Sequence, residues 1–177
     1  MNSIAVRTNG RPKRPHGVAD RPNIPTQILV AAEPVALPPG WGRGLKAWAA
    51  LHHVGDETQM KRSLKSMRPD VLLLDLSSPL FGGFHKMRSL RRLSASTKIV
   101  LLTDHPDRKE WLSGLKAGAW GYCEKADEPG LLKKVLETVQ AGEVWASRTL
   151  VADMIEDMAS ILESRQTKRV YQRVTGR

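Results

Sequence analysis

The sequence predicts an α/β fold in which a five-stranded, doubly wound parallel sheet carries helices on both faces, with an extra helix at the C-terminal end. Unbroken apolar runs such as residues 71–76 are typical of strands that are buried on both faces of a parallel sheet. Segments with apolar residues at helical spacing alternate with these runs over residues 27–141. The alternation of the two patterns indicates helical crossovers between parallel strands.

The composition indicates one globular domain with appended ends. Of 177 residues, 41% are hydrophobic and 26% are charged, as in ordinary globular proteins. No apolar run approaches the roughly 20 residues of a membrane-spanning helix, and the N-terminus lacks the apolar core of a secretory signal. Cys123 is the only cysteine and cannot form an internal disulfide, so we expect a cytoplasmic protein.

The net charge of +10 belongs mainly to the two ends of the chain. Residues 1–23 contribute +4 and residues 164–177 contribute +5, which leaves +1 for everything between them. Short basic ends bind phosphate backbones without sequence specificity, or serve only as solubilising segments. The charge therefore does not by itself predict a nucleic-acid-binding domain.

The N-terminal part of the chain is the least regular. Prolines are dense in residues 1–26, which predicts a disordered basic leader. Residues 28–32 form the first predicted strand, which ends at Glu33. The following crossover contains several helix breakers, so either a short helix lies near residues 45–50 or residues 46–54 are mainly the second strand; we favour the strand.

The remaining elements have clearer boundaries. Asp56 is a predicted N-cap for a helix over residues 57–67. A helix with Phe84, Met87, Leu90 and Leu93 inward follows the strand 71–76. Strands 98–103 and 121–125 flank a helix that ends at Gly118, whose predicted core positions are Trp111, Leu112 and Leu115. A last helix opens at residues 128–129 and ends at Gly142.

Polar side chains end four of the predicted strands: Glu33, Asp75, Thr103 and Lys125. Carboxyl ends of parallel strands meet at one edge of a sheet, so we expect these side chains to converge there. Two carboxylates suit a divalent cation, while a lysine and a hydroxyl suit phosphoryl oxygens. One carboxylate beside the metal is then a candidate nucleophile that becomes an aspartyl phosphate.

These motifs, in this order, resemble the receiver domains of two-component response regulators, which have a flavodoxin-like fold. The resemblance covers residues 27–147 and rests on Asp75 after its apolar run, Gly82-Gly83, Thr103, and the segment 117–125 that leads to Lys125. Residues 118–125 and 141–145 are similar to the NarL/FixJ, or LuxR-type, subgroup, whose receivers precede a helix-turn-helix domain.

The resemblance implies a response regulator of a phosphorelay that acts through protein contacts, in transcriptional control. Asp75 would accept a phosphoryl group from a sensor histidine kinase or a phosphotransfer protein. Glu33, Asp75 and the backbone carbonyl of Ser77 would bind Mg²⁺. Thr103 and Lys125 would contact the phosphoryl oxygens, and Tyr122 would change rotamer as Thr103 moves.

Three features depart from the family pattern. Receivers usually have two adjacent acidic residues after the first strand, whereas this chain has Ala32-Glu33, which would weaken Mg²⁺ binding. The first helix contains breakers, and Asp104 stands where a small residue is commoner and would crowd or repel phosphate. The alternative prediction is therefore an atypical, phosphorylation-independent receiver that serves as an interaction or scaffold module.

The C-terminal end adds an amphipathic helix over residues 148–163 and a basic tail over residues 164–177. The helix is predicted to be a linker or to form a homodimer. A helix-turn-helix would need two more helices, so we expect no specific DNA binding by this chain. A small α/β phosphatase is not supported by any cysteine motif or glycine-rich phosphate loop, so we expect no enzyme. The apolar stripe of the helix consists of Leu150, Met154, Ile155, Met158, Ile161 and Leu162.

Overall fold

The computed structural model describes residues 25–32, 40–46, 48–146, 151–157, 159–160 and 163. Strands and helices alternate along the chain. They are β1 (Thr26–Ala31), α1 (Trp41–Lys46), β2 (Ala49–His53), α2 (Glu57–Ser66), β3 (Val71–Asp75), α3 (Phe84–Leu93), β4 (Lys98–Thr103), α4 (Arg108–Ala117), β5 (Gly121–Glu124) and α5 (Pro129–Gln140).

All five strands are parallel and lie in the order β2-β1-β3-β4-β5. This confirms the predicted five-stranded, doubly wound sheet. The order places β3 at the centre, and every residue of that strand is buried. All strands point the same way, so the residues that follow β3, β4 and β5 meet at one edge of the sheet.

Two apolar layers cover the faces of the sheet. Helices α1 and α5 pack on one face, where Trp41, Leu132 and Val135 join the core. Helices α2, α3 and α4 pack on the other, where Met60, Met87 and Trp111 do the same. Alternate strand residues supply the two layers, as expected for a sheet that is covered on both faces.

The predicted capping signals are confirmed. Asp56 precedes α2 and its carboxylate accepts a hydrogen bond from the Gln59 backbone N–H at 2.7 Å. Gly118 ends α4 with a φ of 95°, a left-handed conformation that favours glycine. These two caps fix where α2 begins and where α4 ends.

The prediction for the first crossover was partly wrong. The favoured second strand is present as β2, but the short helix occupies Trp41–Lys46 rather than residues 45–50. Trp41 is 1% exposed and its indole N–H donates to the Asp127 carbonyl oxygen at 3.3 Å. Burial of this side chain, together with Leu45, outweighs the poor helix propensity of the two glycines in α1.

Smaller corrections concern the ends of elements. Strand β1 begins at Thr26, one residue inside the predicted leader, and residues 1–24 lie outside the described residues. In α4 the buried positions are Trp111 and Gly114, whereas the predicted core residues Leu112 and Leu115 are only half-buried. Gly114 lies against Leu101 of β4, so the helix approaches the sheet closely at that point.

Residues 151–157 are helical and lie on α4. Arg108 forms an ion pair with Asp153, and Lys116 forms one with Asp157. Val151 packs against the apolar layer beneath α4. The predicted linker or dimerisation role of this helix stays a prediction. Residues 164–177 lie outside the described residues, and no described helix is long and apolar enough to cross a membrane.

Candidate functional site

A buried ion pair lies at the carboxyl edge of the sheet. Asp75 is the last residue of β3, and Lys125 follows the last residue of β5. The Lys125 Nζ atom lies 2.8 Å from Asp75 Oδ2, and the two side chains are 7% and 1% exposed. The structure thus joins two of the four predicted strand-end residues across the intervening strand β4.

The turn after β3 holds the other Asp75 oxygen. The Ser77 backbone N–H donates to Asp75 Oδ1 at 3.0 Å. The Ser78 backbone N–H donates to the Asp75 carbonyl oxygen at 3.2 Å, which closes the turn. Asp75 is therefore held by a cation on one oxygen and by a backbone donor on the other.

A third ionised side chain completes the site. Asp104 follows β4 directly, and its Oδ2 atom lies 2.9 Å from Lys125 Nζ and accepts a hydrogen bond from Ser77 Oγ at 2.8 Å. The Asp104 side chain is 47% exposed, so it lies between the buried pair and the solvent. One ammonium is thus shared by two carboxylates.

The pKa shifts follow this geometry. Hydrogen bonds from Lys125 and Ser77 lower the pKa of Asp104 below its ordinary value. Burial alone would lower the pKa of Lys125, but its hydrogen bonds to Asp75 and Asp104 outweigh burial and raise it. Both shifts favour the charged forms, so the lysine and the exposed carboxylate are ionised at neutral pH.

Thr103 makes local contacts at the end of β4. Its hydroxyl donates to the His105 carbonyl oxygen at 3.1 Å and accepts from the His105 backbone N–H at 3.2 Å. The hydroxyl is thus held by the loop that leads into α4. For Thr103 to contact a phosphoryl group, as predicted, its hydroxyl would have to break these hydrogen bonds with His105.

Tyr122 lies on β5 and faces α4. Its ring makes an edge-to-face contact with Trp111 at 5.3 Å between centroids, and its hydroxyl donates to Glu110 at 3.2 Å. Burial raises the pKa of the Tyr122 phenol, against a smaller opposing contribution from the Thr103 hydroxyl. Tyr122 therefore connects the end of β4 with α4.

The predicted metal ligands are only partly described. Glu33 lies outside the described residues, and Ala32 is buried and offers no ligand atom. The described part of the chain supplies the Asp75 carboxylate and the Ser77 backbone carbonyl, and it holds no group of three or more side chains suited to a metal ion. These two donors are hard oxygen ligands of the kind that Mg²⁺ prefers.

Sequence reasoning did not assign Asp104 to the site. The sequence analysis treated it only as a residue that would crowd or repel phosphate, whereas its carboxylate binds Lys125 and Ser77 directly. The signal in the sequence was the position of Asp104, which comes one residue after a strand that ends at this edge of the sheet. Which side chain it would meet depended on loop conformations that a sequence pattern does not specify.

A protein-family model matches the part of the chain that contains this site. The family model described as "Response regulator receiver domain" matches residues 45–137, which is more than half of the chain. That match includes β3, β4 and β5, together with Asp75, Asp104 and Lys125.

Curated relatives of the chain are longer regulators. Response regulator UvrY of Escherichia coli (strain K12) is 30% identical over 109 residues, covering 61% of this chain and 48% of UvrY. The nitrate/nitrite response regulator protein NarL of the same strain is 37% identical over 86 residues, covering 49% of this chain and 40% of NarL. The chain spans about half the length of these relatives or less.

Solved structures share the fold. A two-component response regulator of the LuxR family from Aurantimonas sp. SI85-9A1 superposes with a TM-score of 0.63 at 23% sequence identity. The superposition covers 77% of this chain and 99% of that one. At this level of identity the likeness establishes the fold.

Proposed function

The chain belongs to the response regulator receiver domain family of two-component systems, and on that premise we propose that Asp75 is its phosphoacceptor. Receivers of this family interact with histidine kinases or other phosphodonors, and they are not a classical enzyme family. The proposed donor here is a phosphohistidine on a sensor kinase or on a phosphotransfer protein.

The buried Asp75–Lys125 pair is the observation that carries the proposal. An Asp75 oxygen would form a bond to phosphorus while the P–N bond to the donor imidazole breaks, and the electron pair of that bond stays on the imidazole nitrogen. Lys125, at 2.8 Å from Asp75, is placed to neutralise charge on the transferred group. The Ser77 backbone N–H, at 3.0 Å from Asp75 Oδ1, is also placed to stabilise negative charge there.

Receiver domains generally bind Mg²⁺ at the phosphorylation site, and we propose Glu33, Asp75 and the Ser77 carbonyl as its ligands here. When bound, the ion supplies positive charge for the phosphoryl oxygens. Ala32 replaces a second acidic ligand of the usual pattern, so the chain has one carboxylate fewer with which to hold the cation. We therefore expect phosphorylation to require a higher Mg²⁺ concentration than in receivers with both acidic residues.

The proposed output is a change in protein contacts on the side of α4. Tyr122 donates to Glu110, a residue of α4, so a rotamer change in Tyr122 would release that bond. The same helix holds Asp153 and Asp157 through Arg108 and Lys116. Receiver domains often dimerise, and we propose a homodimer acting in the cytoplasm on transcriptional control, with no specific DNA binding by this chain.

The proposal is tested by phosphate uptake. The protein is mixed with Mg²⁺ and acetyl phosphate, and the intact mass is measured over time. The wild type should gain one phosphate and Asp75→Asn should gain none. Asp70→Asn is the matched control, because Asp70 lies at the opposite end of β3, where its carboxylate accepts from the Gln27 backbone N–H.

Wild-type uptake that persists in Asp75→Asn would contradict the assignment of the acceptor. No uptake by the wild type at any Mg²⁺ concentration would reject phosphorylation and favour the alternative, a phosphorylation-independent interaction or scaffold module. The sharing of Lys125 with Asp104 is the observation that favours this alternative.

A further inference from the structure

Asp104 lies on the solvent side of the buried ion pair. Its side chain is 47% exposed, whereas Asp75 and Lys125 are 1% and 7% exposed. A phosphodonor must reach Asp75 from the solvent, since the core lies behind that residue. The carboxylate of Asp104 is therefore next to the approach of the donor.

Two contacts hold Asp104 in this position. Its Oδ2 atom lies 2.9 Å from Lys125 Nζ and 2.8 Å from Ser77 Oγ. Both partners flank Asp75, because Lys125 binds Asp75 Oδ2 and the Ser77 backbone N–H binds Asp75 Oδ1. The Asp104 carboxylate thus bridges the two residues that also hold Asp75.

Lys125 has three N–H donors, and its ammonium contacts the Asp75 and Asp104 carboxylates at the same time. A phosphoryl group on Asp75 would bring further anionic oxygens to the same ammonium. Asp104 would then have to give up Lys125 or remain beside a group of like charge.

We propose that Asp104 is a positioning residue that competes with the incoming phosphoryl group for Lys125 and so slows phosphoryl transfer to Asp75. This rests on the proposed function of Asp75. In the absence of donor, Lys125 is bound to Asp104 as well as to Asp75. When a donor arrives, displacement of this carboxylate precedes full contact between Lys125 and the phosphoryl oxygens.

With acetyl phosphate as the donor, acetate is the leaving group. An Asp75 carboxylate oxygen forms a bond to phosphorus, the P–O bond to the acetyl group breaks, and acetate leaves with the electron pair. Acetyl phosphate carries about two negative charges at neutral pH, so its approach is opposed by the charge of Asp104. The phosphoryl oxygens then replace Asp104 Oδ2 at Lys125.

The test compares rates of phosphate uptake by intact mass in the full chain with acetyl phosphate and Mg²⁺. Asp104→Asn retains the size of the side chain and removes its charge, whereas Asp104→Ala removes both. Glu128→Gln is the matched control, because Glu128 is an exposed carboxylate that follows Lys125 by three positions in the chain and its side chain makes no capping hydrogen bond. We expect uptake in both Asp104 variants to be about tenfold faster than in the wild type and unchanged in the control.

The salt dependence of the uptake rate distinguishes competition by charge from a purely structural role of Asp104. Screening weakens the repulsion between Asp104 and the donor, so added salt should speed wild-type uptake more than uptake by Asp104→Asn. Ser77→Ala removes one of the two contacts that hold Asp104 and keeps the backbone carbonyl. It should therefore give a rate between those of the wild type and Asp104→Asn.

Faster uptake in both Asp104 variants, with a weaker response to salt, supports the proposal. Rates equal to or below the wild-type rate in both variants overturn it and leave Asp75 as the acceptor. Faster uptake in Asp104→Ala alone assigns the effect to the bulk of the side chain and overturns competition by charge. No uptake in the wild type or any variant rejects the proposed function, and this inference with it.

Discussion

Lys125 and Asp75 form an ion pair at 2.8 Å in which both side chains are buried. They come from the ends of two strands that are separated by β4. The pair therefore depends on the assembled sheet and not on local sequence. Buried charges of this kind are costly to desolvate, so each partner is stable there mainly because the other is present.

Removal of one partner should destabilise the fold strongly. Lys125→Met leaves the Asp75 carboxylate buried with its ammonium gone, and we expect a loss of about 3 kcal/mol in the free energy of unfolding. The double variant Asp75→Leu/Lys125→Met removes both charges and should lie within about 1 kcal/mol of the wild type or above it. Urea unfolding followed by circular dichroism measures both. Equal losses in the single and double variants would contradict this account of the pair.

The close approach of α4 to the sheet predicts a position-dependent effect of alanine. A Cβ atom at Gly114 would lie 2.5 Å from Leu101 Cδ1, a fully buried side chain, so Gly114→Ala should cost about 1–3 kcal/mol. A Cβ at Gly130 in α5 meets nothing within 4 Å, so Gly130→Ala should gain about 0.5–1 kcal/mol from helix propensity. The thermal unfolding midpoints of the two variants distinguish the cost of crowding against the sheet from the gain in helix propensity. A stabilised Gly114→Ala would show that Leu101 yields easily.

The C-terminal helix should depend on charge for its contact with α4. Asp153→Lys reverses one partner of the Arg108 ion pair, and we expect hydrogen exchange in residues 151–157 to become faster by roughly fivefold or less, since ion pairs at the surface stabilise a fold only weakly. The exchanged pair Arg108→Glu/Asp153→Lys should restore part of the protection. Hydrogen exchange with mass spectrometry measures the peptide directly. No recovery in the double variant would mean that the ion pair does not hold the helix.

Cys123 should be chemically inert in the folded protein. Its side chain is buried in the core beside α5, and this burial raises the pKa of the thiol well above its ordinary value. The reactive thiolate is therefore scarce at pH 8, where a free cysteine is partly ionised. Iodoacetamide at that pH should label Cys123 only after urea is added. Rapid labelling of the native protein would show that β5 opens readily.

The five strands and their parallel arrangement could be predicted because they depend on simple patterns. Residues 71–75 are apolar up to Asp75, and burial on both faces of a parallel sheet requires that composition. The placement of Asp75 and Lys125 at one edge of the sheet followed from the predicted parallel strands, whereas the ion pair between them was not predicted. The alternation of strand and helix therefore predicted most of the elements that position the site.

Two features could not be predicted, because tertiary contacts decide them. Helix α1 forms in spite of its glycines, since Trp41 is buried against the core and bonds to the Asp127 carbonyl oxygen. Asp104 bonds to Ser77 and Lys125, which lie 27 and 21 residues away along the chain. Neither contact has a periodicity or a local motif that would reveal it in the sequence.

The central claim is that Asp75 itself carries the phosphoryl group. Borohydride reduces an aspartyl phosphate to homoserine, which marks the modified residue permanently. The protein is treated with acetyl phosphate and Mg²⁺, reduced, digested and analysed by tandem mass spectrometry. We predict homoserine at position 75 and at no other aspartate. Homoserine at Asp104 or Asp70 with Asp75 unmodified, or no homoserine in the digest, would contradict the account.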